Sequence, residues 1–285
     1  MKTEYHILNL GAGVQSTTLY LMFMRGEIRP QIDCAIFADT QDEPGAVYRH
    51  LEWLKSLGGS EILVRTRGNL GDDTIRGKNH AGANCPSELP AFTTRDNGAT
   101  KGQVKRQCSK EYKTDVIERC IRRDVLGLQP RQRVPKGTAI HQYLGISLDE
   151  AGRARRIAEM FLRNKKWATP HFPLIERFWT RPDCLNYLAE KVPHQTPRSA
   201  CVFCPYRTDA EWFLLKEQSS TDWNRAIEID RALRIGRKQK DDSQVMYLHR
   251  SCRPLELVQF DTRPTQRDLQ MSMSFAQVCE GVCGV

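Results

Sequence analysis

Apolar positions along this chain come in short compact runs separated by stretches with helical spacing. His6–Leu10 is a short apolar segment entering a glycine-containing turn, and Thr17–Met24 after it reads as a buried helix. Cys34–Ala38 is a compact apolar run suited to a strand covered on both faces. It ends at Asp39-Thr40, after which Val47, Leu51, Leu54 and Leu57 mark one face of a helix. Glu61–Thr66 reads as a third strand. This alternation predicts an α/β fold: a doubly wound, mostly parallel, Rossmann-like sheet with right-handed crossovers.

Further along, periodicity fades. Residues 68 to 107 are rich in Gly, Asn, Asp and Thr and read as one long irregular segment of the kind that borders active sites. Lys110–Leu126 looks helical, His141–Ile146 is a short strand, and Asp149–Lys166 is a basic helix with an acidic start. From Pro170 the prolines at 170, 173, 182, 193, 197 and 205 break the chain into short elements around Cys201 and Cys204. Ala210–Leu215 and Trp223–Leu233 read as helices. The division expected is therefore a nucleotide-binding domain over 1–169 and a Pro-rich, mainly helical, cysteine-bearing extension over 170–285.

Composition narrows the class. With 40% hydrophobic and 27% charged residues, the 285-residue chain has an ordinary globular balance. No apolar run approaches the roughly 20 residues that span a bilayer. The first residues, Met1-Lys2-Thr3-Glu4, lead straight into a strand-like segment without a signal peptide's apolar core, so no membrane and a cytoplasmic location are expected. Net charge is +9, and 17 Lys/Arg against 7 Asp/Glu fall between Lys101 and Trp167. A basic stretch suits a polyanion, either nucleic acid or nucleotide phosphates; a solvated helical face is the plainer alternative. Ten cysteines exceed packing needs, and a disulfide framework is unexpected in a reducing compartment.

Two stretches carry chemistry. Gly11-Ala12-Gly13-Val14-Gln15-Ser16-Thr17 lies between a strand and a helix, where small residues let backbone N–H groups approach phosphate oxygens and the hydroxyls of Ser16 and Thr17 add donors. No Gly-Lys-Ser/Thr follows, so it is no Walker loop, and no third glycine completes a dinucleotide fingerprint. Cys201-Val202-Phe203-Cys204 is the sharpest metal-like signal, since two thiolates three residues apart reach one centre. Cys108, Cys279 and Cys283 supply further thiols, while Cys34, Cys120, Cys184 and Cys252 read as small buried hydrophobes. His141 and His171 read as structural hydrogen-bonders.

The glycine loop resembles the PP-loop of the adenine nucleotide α-hydrolase-like superfamily, S-G-G-x-D-S/T. Gly13, Ser16 and Thr17 fit; Gly11 stands for Ser, Ala12 for the first Gly and Gln15 for Asp. Phe37–Glu43 is similar to the D-T-G-x-E strand end of phosphoadenosine phosphosulfate reductase-like proteins, with Gln41 where Gly is usual. Arg106–Lys113 resembles that branch's C-T-x-x-x-K segment, and Gly145–Arg153 the segment after a later strand. Together the similarity covers about residues 6 to 215.

That resemblance implies an adenine nucleotide, ATP or another, with Mg2+ as an accompanying ion, held by Gly11, Ala12, Gly13, Gln15, Ser16, Thr17 and Asp39. Arg106, Lys110, Lys113 and Arg153 are candidate phosphate partners, and Lys110 a candidate catalytic cation. It also implies a [4Fe–4S] cluster on Cys108, Cys201, Cys204 and Cys283, with structural zinc as the competing metal. Cys279 or Cys283 is alternatively a mobile nucleophile or persulfide carrier. Three functions stay open. One is an ATP-dependent iron–sulfur sulfurtransferase acting on a nucleic acid or nucleoside with a sulfur donor, DNA phosphorothioation being a close variant. Another is a sulfonucleotide reductase with an external reductant. The last is a non-catalytic nucleotide or nucleic-acid binding protein with structural zinc.

Overall fold

The computed structural model describes residues 3–77, 89–95, 100–104, 107–235 and 245–261. The chain runs through β1 (Glu4–Leu10), α1 (Val14–Met24), β2 (Cys34–Asp39), α2 (Gly45–Ser56), β3 (Glu61–Thr66) and α3 (Leu70–Arg76). Next come β4 (Phe92–Arg95), β5 (Thr100–Gln103), α4 (Asp115–Cys120), β6 (Ala139–Leu144), α5 (Ala151–Asn164), β7 (Thr169–His171) and α6 (Pro173–Glu176). α7 (Arg181–Ala189), α8 (Asp209–Gln218), α9 (Ser220–Ile235) and β8 (Val245–Tyr247) complete the described elements.

Five strands form one sheet in the order β3-β2-β1-β6-β7, and every neighbouring pair is parallel. The expected parallel α/β sheet is thus what forms. Alternate residues of each strand feed cores on opposite faces. Leu8, Leu10, Ala35 and Phe37 pack with α1, α2 and α7 on one side, and Ile7, Cys34, Ile36 and Ala38 pack with Val116, Ile117 and Ile121 on the other. Helix α1 is buried from Val14 to Phe23, so it carries no polar stripe to solvent. Strand order turns back between β1 and β6, the point at whose carboxyl ends open parallel sheets commonly carry a binding crevice.

Four details depart from the sequence expectations. The irregular stretch 68–107 contains α3, β4 and β5, and β4 sits between β5 and β8 in a second, antiparallel sheet. The helix expected over 110–126 is α-helical in its middle only, with π-helical turns at Ser109–Thr114 and Ile121–Val125. An extra residue per turn rotates the side chains that follow, and such turns gather at functional sites. The boundary expected between 169 and 170 runs through β7, and Leu174, Cys184, Leu188 and Val192 share the core of α1. A second core gathers Val202, Phe203, Trp212, Ile229, Leu233 and Leu255 with Leu70, Ala91 and Tyr112.

Candidate functional site

The glycine loop sits at the strand-order reversal, between the carboxyl ends of β1 and β6. Ala12 adopts φ +54°, a left-handed conformation that L-residues seldom take, and Gly13 is extended as it opens α1. Gly11 N–H donates to Ser16 Oγ at 3.1 Å, and Thr17 N–H to the Gly13 carbonyl at 2.9 Å. The loop therefore curls tightly, with the positive end of α1 at its mouth. Gln15 spans the reversal: its Nε2 donates to Glu150 Oε2 at 3.2 Å and to Ser147 Oγ at 3.4 Å, while its Oε1 accepts from Arg181 at 2.9 Å. Glu150 also accepts from Arg153 at 2.8 Å. Burial pushes the Glu150 carboxyl upward, and Arg153 chiefly counters it.

Below the loop, Thr17 Oγ1 lies 2.9 Å from His50 Nε2, whose Nδ1 lies 2.8 Å from His194 Nε2. Burial, and secondarily the neighbouring His194, lowers the His50 pKa to about 4. A neutral imidazole thus braces the first turn of α1.

The cysteine segment covers this loop. A Cβ built on Gly13 would stand 3.2 Å from Ser199 Cβ and 3.4 Å from its nitrogen, so glycine is what lets the two backbones touch. Val202 N–H donates to the Asp42 carbonyl at 2.9 Å, and Thr40 Oγ1 lies 3.2 Å from Cys201 Sγ. Arg207 is buried and donates through Nη2 to the carbonyls of Ala200 and Cys201, both at 3.1 Å. Its pKa is lowered by burial first and by Arg198 second. Cys201 is buried and Cys204 half-buried. Beside them Lys113 Nζ donates to Glu43 Oε1 at 2.9 Å, with both side chains buried, and Cys201 Sγ lies 4.0 Å from the same oxygen. Further out, Asp42 accepts from Arg225 and from Gly71 N–H, each at 2.8 Å, and burial raises its carboxyl against these bonds. Gly71 has no room for a Cβ, which would fall 2.7 Å from Arg225 Nη2.

The structure thus gathers Gly11, Ala12, Gly13, Gln15, Ser16, Thr17, Arg153, Lys113 and Cys201 at the carboxyl-end side of the sheet, with Cys204 on the segment that touches Gly13. Asp39 stands on the same side, accepting from Tyr48 OH and from Gln41 N–H at 2.8 Å each. Lys110 is not drawn in: it is exposed and pairs with Asp115 at 2.8 Å. Cys108 packs against the second core with Cys201. Among the described residues, Cys108, Cys201 and Cys204 do not form a three-donor group within the reach of a single ion, nor do the crevice carboxylates. Arg106, Cys85, Cys279 and Cys283 lie outside the described residues. Cys34, Cys120 and Cys184 are buried as expected, and burial raises the Cys120 thiol to about 12. Cys252 is instead half-buried and left-handed at φ +56°.

Compared with known proteins, the chain matches no family model, no curated protein and no solved structure. No described helix is long and apolar enough to cross a membrane.

Sequence reasoning missed Glu43, His50, Ser147, Glu150, Arg181 and Arg207. Glu43, Ser147 and Glu150 lay inside the segments Phe37–Glu43 and Gly145–Arg153, and acidic residues beside a glycine loop signal buried cation partners. Nothing local marked His50, Arg181 or Arg207.

Proposed function

We propose that this chain is a PP-loop-type enzyme that binds an adenine nucleotide at Gly11–Thr17 and performs sulfur transfer onto a nucleic acid or nucleoside. The observation that carries the reading is the direct contact of Ser199, two residues before Cys201, with Gly13. It supports reading the Cys201–Cys204 segment as a neighbour of the nucleotide's phosphates. The PP-loop resemblance draws support from conformation. Ala12 and Gln41 occupy positions where the motifs carry glycine, and both are left-handed, at φ +54° and +62°.

In this reading the acceptor oxygen attacks the α-phosphorus of ATP and pyrophosphate leaves. Sulfur at the sulfide level then forms the new bond to the activated atom, and AMP departs with the oxygen. The α1 amides and Ser16 stabilise phosphate charge, Gln15 holds the Ser147–Arg153 segment against the loop, and Arg207 positions Cys201. Four thiolates on one iron–sulfur cluster are spread more widely than around one ion. In this reading such a cluster, held by Cys201 and Cys204 with Cys108, would bind and activate sulfide; Cys283, the expected fourth ligand, lies outside the described residues. The sharp charge of the 101–167 stretch divides: Lys113 and Arg153 serve the crevice, while Arg119, Arg122, Arg123 and Arg131 line a cavity of about 330 Å³. Asp115 and Glu118 line it too, so a polyanion's second contact would fall on its arginine side.

A second reading has its own support. Gln15 is neutral and fully engaged where the resembled motif carries a carboxylate, which suits a sulfonucleotide cleaved by a thiol rather than ATP. The test is product analysis on anaerobically purified protein. Pyrophosphate released from ATP only when RNA or DNA is present supports sulfur transfer; sulfite from a sulfated adenosine nucleotide plus thiol supports the second reading. Neither product sinks both.

A further inference from the structure

Away from the crevice, where β1 and β6 begin, a set of ring nitrogens and one carboxylate converges. Parallel register places His6 beside His141 and Tyr143 beside His171. The His6 and His141 rings stack with centroids 4.8 Å apart and planes 10° off parallel. Glu4 Oε1 lies 3.4 Å from His6 Nε2 and 3.3 Å from His141 Nε2. Among the described residues, this is the group of three donors whose ligand atoms all fall within 4.8 Å. Six residue steps of β1 separate Glu4 from the glycine loop, about 20 Å of strand. The cluster therefore belongs to neither the nucleotide nor the thiols.

Both rings are held from behind. His6 Nδ1 lies 3.0 Å from Tyr143 OH and His141 Nδ1 lies 2.8 Å from His171 Nε2. In the tautomer that donates Nδ1–H to that partner, each Nε2 can offer its lone pair to an ion that the Glu4 carboxylate also holds. This is the arrangement in which metal-binding histidines are found, one nitrogen on the ion and the other hydrogen-bonded to fix the ring. The group borders a cavity of about 520 Å³ that Glu176, Arg29 and Arg177 also line. Two imidazoles and a carboxylate suit zinc and its first-row neighbours, and three protein ligands leave a position open.

The geometry points to a divalent transition-metal site of the zinc class on His6 Nε2, His141 Nε2 and Glu4, with its fourth position open to water or an oxygen ligand from the cavity. Tyr143 and His171 are positioning residues that fix the two rings. The site stands independently of the proposed function.

The test is titration of the full, 15N-labelled chain with Zn2+, read at the histidine ring nitrogens. Thiols also take up zinc, and the imidazole signals separate the two. The expected result is a shift of His6 and His141 Nε2 to metal-bound values while their Nδ1 atoms stay protonated. Glu4→Gln, on a mostly exposed side chain, should weaken that response about tenfold or more, and Tyr143→Phe should weaken it at His6 with the fold intact. Unmoved Nε2 signals at zinc excess, binding through Nδ1, or equal affinity in Glu4→Gln would each overturn the assignment.

Discussion

The two ends of the parallel sheet treat polar groups in opposite ways. At the carboxyl ends, Gln15, Glu43, Lys113, Glu150 and Arg153 are buried, and each meets a protein partner within 3.2 Å. At the amino ends, Glu4, His6 and His141 border an open cavity and stay partly solvated. A buried matched pair holds atoms in fixed positions and makes removal of either partner costly. A partly exposed cluster tolerates substitution and can rearrange around an ion. The first end is built for geometry and the second for exchange.

Substitutions at each end should separate the two behaviours. Lys113→Met should have the largest effect, since it leaves Glu43 buried without its cation; a loss of about 3–5 kcal/mol in urea unfolding is expected. A loss below about 1 kcal/mol would mean that the crevice is wetter than its burial implies.

Acid comes next. His50 is held neutral, with a folded pKa of about 4, whereas the unfolded chain takes up that proton near pH 6.5. Its contribution is complete above about pH 6.5 and is lost as pH falls toward 4. The loss is on the order of 3 kcal/mol. His50→Gln should remove that portion of the acid sensitivity, measured as the difference in unfolding free energy between pH 7 and pH 4.5.

Gly13→Ala should cost about 1–3 kcal/mol, because its Cβ meets Ser199 at 3.2 Å and the cysteine segment must shift. Faster alkylation of Cys204 would accompany that shift. Smallest of all, Glu4→Gln without added metal should change stability by no more than about 0.5 kcal/mol, as its carboxylate is 60% exposed. A large loss there would erase the contrast between the ends.

Much of the frame was legible in the chain because strands covered on both faces must be apolar throughout. Cys34–Ala38 could hardly be anything else, and the glycine turn after Leu10 announced a helix start. The partnerships were not legible. Gln15 meets Arg181 across 166 positions and His6 meets Tyr143 across 137, and no local spacing encodes such pairs. The π-helical turns around α4 also escaped notice, because one inserted residue leaves the apolar pattern nearly unchanged. His141 and His171 do hydrogen-bond as expected, yet their meaning came only from Glu4 and His6 across the strand pair.

If the glycine loop holds a nucleotide's phosphates, as proposed, the Cys201–Cys204 segment that touches Gly13 lies beside them. The most direct test of this placement is the rate of alkylation at each cysteine, read by mass spectrometry on anaerobic protein with and without saturating ATP or a sulfated adenosine nucleotide. Labelling of Cys204 should be several-fold slower with nucleotide, and the rate at Cys252 unchanged. Equal Cys204 rates in both conditions, with the nucleotide shown to be bound, would contradict it.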